Sequence, residues 1–271
     1  MARTAQHGTA LVTGASAGIG ATYARKLAER GYDLLLVARD VSRLNAMADE
    51  LSASHGVIVE VLAADLSNGE DLRRVEKRLR ADEDITLLVN NAGIGPKGAL
   101  LADDIDYLDQ MIAINVTAAN RLAVAAAQTF AAREKGSIIN IASAVAIVPD
   151  IFNGTYSGSK SFVLGLTLAL ANDLKDKGVK VQAVLPGFTR TEIFDRVGGS
   201  FDNIPQDRVM EVNDLVEAAL AGFDQGELIT VPSAEDENLV KAYQEARFAL
   251  GGQASRDRPA SRYGIAARAA A

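Results

Sequence analysis

The chain has no cysteine and only two histidines, His7 and His55, among its 271 residues. Without cysteine there is no disulfide, no thiolate metal ligand and no cysteine nucleophile. Two histidines so far apart argue against a histidine-based triad or a multi-histidine metal site, so no metal is expected. A basic excess is missing too: 28 Lys and Arg stand against 35 Asp and Glu, a formal net charge of −7. Nucleic-acid surfaces normally carry a basic stripe, so no nucleic-acid partner is expected. No segment has the uninterrupted apolar length of a membrane span. Residues 1–8 are polar and lack the apolar core of a secretory signal, which makes a soluble cytoplasmic protein the expectation.

What is present is 48% hydrophobic residues, ample for one large core. Short runs rich in Val, Ile and Leu, at 9–13, 34–38, 57–63, 87–90, 137–141, 179–185 and 228–231, alternate with amphipathic segments. The latter fall near 18–30, 41–54, 69–81, 104–132, 155–177, 213–222 and 235–249. The runs mostly lack polar alternation, as expected of strands buried on both faces. Seven strands alternating with helices predict a single α/β domain over 1–250, a doubly wound parallel sheet of Rossmann type. Residues 251–271, with Arg256, Arg258, Arg262 and Arg268, read as a surface extension.

Two connections are too long and too apolar for this rhythm. Residues 144–154 include Val145 and Phe152, and residues 187–210 include Phe188, Ile193 and Phe194. Both begin at carboxyl ends of strands, where open α/β sheets bind ligands. These five residues are candidate pocket walls for a partly apolar substrate; covering the core or a subunit contact is the other reading. Arg190 and Arg196 offer a place for an acidic group instead.

After the first strand comes Thr13-Gly14-Ala15-Ser16-Ala17-Gly18-Ile19-Gly20. Glycines there let the backbone approach a pyrophosphate, and the following helix presents unpaired N–H groups. The ribose of such a ligand would meet the end of the second strand, where an acid would favour NAD. The chain has Ala38 at that point, followed by Arg39, which suits a 2′-phosphate and NADP. Asp40 and the non-basic Ala17 leave NAD open.

Tyr156 and Lys160 are one helical turn apart, thirteen residues past Ser143. A phenol is a poor proton donor or acceptor near neutrality, and a cation beside it favours phenolate. Ser143 could hold a substrate oxygen against it.

With these motifs in order, the sequence resembles the short-chain dehydrogenase/reductase family from about residue 9 to 232. The resemblance implies a cofactor site of Gly14, Ser16, Gly18, Ile19 and Gly20, with Asp65 and Leu66 at the adenine. It adds Asn91, Ala92 and Gly93 of the N-N-A-G segment, and Pro186, Gly187, Thr189 and Thr191 beside the nicotinamide. Asn115, Ser143, Tyr156 and Lys160 match the family's catalytic tetrad. The implied reaction is hydride transfer between NADP, or NAD, and a ketone, aldehyde or secondary alcohol. Tyr156 is then the general acid/base, and Lys160 tunes it and holds the nicotinamide ribose. Asn115 holds a proton relay. The family is commonly dimeric or tetrameric, so a homodimer or homotetramer is expected.

Overall fold

The computed structural model describes residues 7–192 and 204–265. It forms two compact units, Met1–Ser233 and Ala234–Ala271. Along the first unit run β1 (Thr9–Thr13), α1 (Gly18–Glu29), β2 (Asp33–Ala38), α2 (Val41–His55), β3 (Val59–Ala63) and α3 (Gly69–Ala81). Then come β4 (Ile85–Asn90), α4 (Ile105–Ile112), a π-helical turn (Ala113–Ala118), α5 (Ala119–Ala132), β5 (Gly136–Ile141) and α6 (Gly154–Asp173). The unit closes with β6 (Val179–Val184), β7 (Thr189–Arg190), β8 (Met210–Glu211), α7 (Val212–Gln225) and β9 (Ile229–Thr230). The second unit holds α8 (Glu237–Gly251), capped at its start by Asp236, whose carboxylate accepts from the Asn238 N–H at 2.9 Å. The sequence expectation drew the body to residue 250; by contacts, α8 falls in the second unit.

The main sheet is seven-stranded in the order β3-β2-β1-β4-β5-β6-β9, with every pairing parallel. Its strands are apolar at successive positions because both faces are covered. Leu34 and Leu36 enter one core with Leu27, Leu44 and Leu215. Leu35 and Val37, between them, enter the other with Leu79, Leu88 and Phe130. From β1 the chain winds outward to β3, then crosses back to β4 on the other side of β1. That reversal makes a switch point between β1 and β4, the position at which such sheets bind ligands.

The elements start close to where the sequence placed them. The segment expected as one helix over 104–132 is interrupted by the π-helical turn at Ala113–Ala118. Such turns are energetically poor and recur at functional positions; this one carries Asn115. The connection after β5 contains two short 3-10 turns, Ala144–Ala146 and Pro149–Ile151. The ends of the longer connection are pinned by the parallel β7–β8 ladder, Thr189 opposite Met210 and Arg190 opposite Glu211. Ile193, Phe194 and Arg196 lie outside the described residues.

Candidate active site

The turn between β1 and α1 is made possible by its glycines. Gly14 has φ +66° and Gly18 φ +53°, both in the left-handed region that penalises a side chain. A Cβ on Gly20 would lie 2.3 Å from the Gly14 carbonyl oxygen and 2.5 Å from Asn91 Nδ2. The turn is therefore closed against the segment after β4. Thr13 makes the join: its hydroxyl accepts from the N–H groups of Asn91 and Ala92, each at 2.9 Å. Asn91 Nδ2 donates back to the Thr13 carbonyl at 2.9 Å. Ser16 and Ile19 are partly buried in the same turn, and Ile19 packs on the core. The sequence displayed Thr13 only as part of the glycine motif; its role depends on β1 and β4 being neighbours, which no local pattern states.

At the adjoining strand ends, Ala38 is buried and Arg39 is exposed, with Arg39 Nη1 3.7 Å from Asp65 Oδ2. Asp65 Oδ1 accepts from the N–H and hydroxyl of Ser67 at 2.9 and 2.7 Å. Burial alone would raise the Asp65 carboxyl, but the Ser67 bonds and Arg39 outweigh it and hold the group below its ordinary range. Leu66 beside it is buried.

The expected tetrad sits at the ends of β4 and β5. Asn153 caps α6 by accepting from the N–H groups of Thr155 and Tyr156 at 3.1 and 3.3 Å, which fixes Tyr156 in the helix's first turn. Losing such a cap typically costs about 1 kcal/mol. Ser143, buried, donates to the Pro186 carbonyl at 3.3 Å and accepts from the Val145 N–H at 3.4 Å; its hydroxyl also favours ionisation of the Tyr156 phenol. Lys160 is buried and donates from Nζ to the Ile141 carbonyl at 3.0 Å. Asn115 Oδ1 accepts from the Ile94 N–H at 2.9 Å, while its Nδ2 donates to the Ile94 carbonyl at 2.9 Å and to Ser159 Oγ at 3.2 Å. Ser159 in turn donates to the Tyr156 carbonyl at 2.7 Å. Gly93 lies where these parts meet: a Cβ there would be 3.1 Å from Asn115 Oδ1 and 3.5 Å from Lys160 Nζ.

The electrostatics differ from the sequence reading in one respect. The ammonium is 5.8 Å from the Tyr156 ring centre and turned toward a carbonyl. Burial pushes the phenol above its ordinary value, and the Ser143 hydroxyl offsets only part of that rise. Burial also pulls the Lys160 ammonium down, to about 8. Within the protein alone, desolvation dominates the titration of the phenol. The phenol is held protonated, a proton donor in waiting.

One apolar side chain lies directly against the phenol. Phe152 packs edge-on against the Tyr156 ring at 5.7 Å between centroids and remains 43% exposed. Phe188, two residues past Pro186, is 42% exposed, and Val145, within the first 3-10 turn, is partly buried. Thr189 is buried, its hydroxyl donating to the Gly187 carbonyl at 3.1 Å, and Thr191 follows it. Arg190, which the sequence offered to an acidic substrate group, is instead bonded to Glu211 at 2.7 Å and Gln206 at 3.0 Å. Among the described residues no helix is long and apolar enough to cross a membrane.

A family model described as short chain dehydrogenase matches residues 8–199. Among solved structures, a short-chain dehydrogenase from Sphingobium yanoikuyae in complex with NADPH is 44% identical with a TM-score of 0.91, covering 94% of this chain and 99% of that one. The bulky-bulky ketone specific alcohol dehydrogenase from Comamonas testosteroni is 42% identical with a TM-score of 0.86, covering 94% of this chain and 98% of that one. A very-long-chain 3-oxoacyl-CoA reductase of Anas platyrhynchos is 36% identical over 198 residues, 71% of this chain. The chain spans 63% of that relative's length. With its parallel sheet, glycine turn and family match in agreement, the chain belongs to the short-chain dehydrogenase/reductase family of NAD(P)-dependent oxidoreductases.

Proposed function

We propose that this protein transfers a hydride between NADP(H) and a ketone carrying two bulky apolar substituents, or the matching secondary alcohol. The observation that carries the proposal is the buried Tyr156 phenol, kept protonated by burial and packed edge-on by the half-exposed Phe152. The glycine turn fits a dinucleotide, since packing at Gly14 and Gly20 excludes side chains and leaves main-chain N–H groups at the start of α1 to meet a pyrophosphate. Bound there, the nicotinamide supplies or accepts the hydride. The protein's own work is to hold the partners and manage the proton.

In reduction, Ser143 and Tyr156 hold the carbonyl oxygen. Tyr156 gives up its phenolic proton as negative charge develops on that oxygen. Lys160, whose ammonium lies close to Gly93, holds the nicotinamide ribose and reprotonates the phenolate. Both side-chain donors of Asn115 are occupied by Ile94 and Ser159. Its contribution to a proton relay therefore runs through its main chain, while its side chain ties Ile94, after β4, to Ser159 on α6. Arg39, with no acid at Ala38, selects the 2′-phosphate, and the NADPH bound by the Sphingobium relative supports that preference. The names of the Comamonas and Anas relatives both specify a ketone carbon.

NADPH and NADH oxidation with ketones of increasing bulk tests the reading. The expected outcome is NADPH preferred by at least about tenfold in kcat/KM, consistent with one charge-assisted phosphate contact. Diaryl ketones should outrun acetone. Preference for NADH would support an NAD-dependent alcohol dehydrogenase with the same site, and no reduction of any ketone would overturn the proposal.

A further inference from the structure

Where the chain leaves β7 it crosses the cleft. The Cβ and Cγ2 of Thr191 lie 3.4 Å from the point where Gly18 would carry a side chain, at the amino terminus of α1. The next residue, Glu192, reaches further. Both of its carboxylate oxygens accept from Nη1 of Arg43, in the first turn of α2, at 3.0 and 2.9 Å. Arg43 is steadied from its other side by Asp40, with Nε 3.4 Å from Oδ2. One stretch of two residues thus spans the β1–α1 and β2–α2 turns, with Glu192 reaching Arg43, 149 positions away in sequence.

A dinucleotide running from the glycine turn to Arg39 has to pass between those two turns. We propose that Arg43 and Glu192 form a tie across the dinucleotide cleft, holding Thr191 over the pyrophosphate position and setting how fast the nicotinamide cofactor leaves. The inference rests on the cofactor reading given above. Arg43 and Glu192 are positioning residues here: they act through Thr191 and touch no reacting atom. The pair is half exposed, 49% and 46%, so it contributes little to folding stability. Its position is better suited to governing exchange. The cap bond from Arg43 to Asp40 uses the main-chain N–H, so changing the Arg43 side chain leaves the helix start intact.

The test is stopped-flow displacement of bound NADPH, and separately of NADH, by excess oxidised cofactor, followed by nicotinamide fluorescence. Arg43→Gln and Glu192→Gln should each raise the release rate about fivefold, the upper end for an exposed ion pair. The increase should be alike for NADPH and NADH, with the apo thermal midpoint unchanged. The exchanged pair, Arg43→Glu with Glu192→Arg, should return release to within about twofold of wild type, as coupling within one pair requires. Unchanged release in both single variants would overturn the tie, as would failure of the exchanged pair to recover. A loss confined to NADPH in Arg43→Gln, with Glu192→Gln silent, would overturn it too and make Arg43 a phosphate ligand. Wild-type protein that binds neither cofactor would overturn the cofactor reading itself, and the tie with it.

Discussion

The cofactor side of the cleft is built from main-chain groups and short buried side chains, whereas the proposed substrate side offers large apolar side chains left partly in solvent. On the first side, Thr13 and Asn91 lock the glycine turn to the segment after β4 through bonds of 2.9 Å. On the second, Phe152 packs against Tyr156 from a connection with little regular structure, and Phe188 is half exposed just past Pro186. The difference follows from what each side has to recognise. A dinucleotide is a constant ligand, met best by a rigid backbone cradle. A variable apolar substrate is met by side chains that can change without disturbing the sheet.

Substitutions on the two sides should therefore fail in different ways. The largest effect is expected from Gly20→Ala. Its new methyl would meet the Gly14 carbonyl at 2.3 Å, a main-chain atom that cannot move aside cheaply. NADPH binding by fluorescence titration should be lost, with about 1–3 kcal/mol of destabilisation in chemical denaturation. A variant that binds normally would show that the cradle is not rigid. Next comes Arg39→Asp, which should reverse the NADPH:NADH ratio of kcat/KM by on the order of a hundredfold, from loss of one charge-assisted contact and gain of repulsion. An unchanged ratio would remove Arg39 from cofactor selection. The smallest is Phe152→Ala, expected to raise KM for a diaryl ketone about threefold to tenfold while leaving kcat and the Kd for NADPH nearly unchanged. If Phe152→Ala instead weakened NADPH, the division between the two sides would collapse.

The same contrast decides how much could be read from the sequence. Strand positions and the sheet's parallel class were legible because apolar runs such as those around Leu35 and Leu88 are dictated by burial on both faces. The positions of Tyr156 and Lys160 were legible because helix geometry brings residues four apart onto one face. Their titration was not: whether the cation or the burial dominates depends on Lys160 turning to the Ile141 carbonyl, a contact across 19 residues. The π-helical turn was equally hidden, since 104–132 is uniformly helix-forming by pattern. Asn115 finds its partners only because α4 and α6 pack on the loop after β4. Arg190 looked available in sequence and is occupied in the fold, by Glu211 on the opposite strand of a two-residue ladder. Contacts set by topology leave no local signature.

The central claim is that Tyr156 delivers the proton while the rest of the site holds the cofactor. Its most direct test is the rate of NADPH-driven ketone reduction in wild type and Tyr156→Phe across pH 6 to 10, alongside the Kd for NADPH. Wild-type rate should be highest below the Lys160 titration near 8 and fall as pH rises through it, because the ammonium that restores the phenolic proton is then lost. Tyr156→Phe should reduce the rate by about a thousandfold at every pH with Kd within twofold, the scale expected for removing a general acid. Reduction by Tyr156→Phe at the wild-type rate would contradict the account.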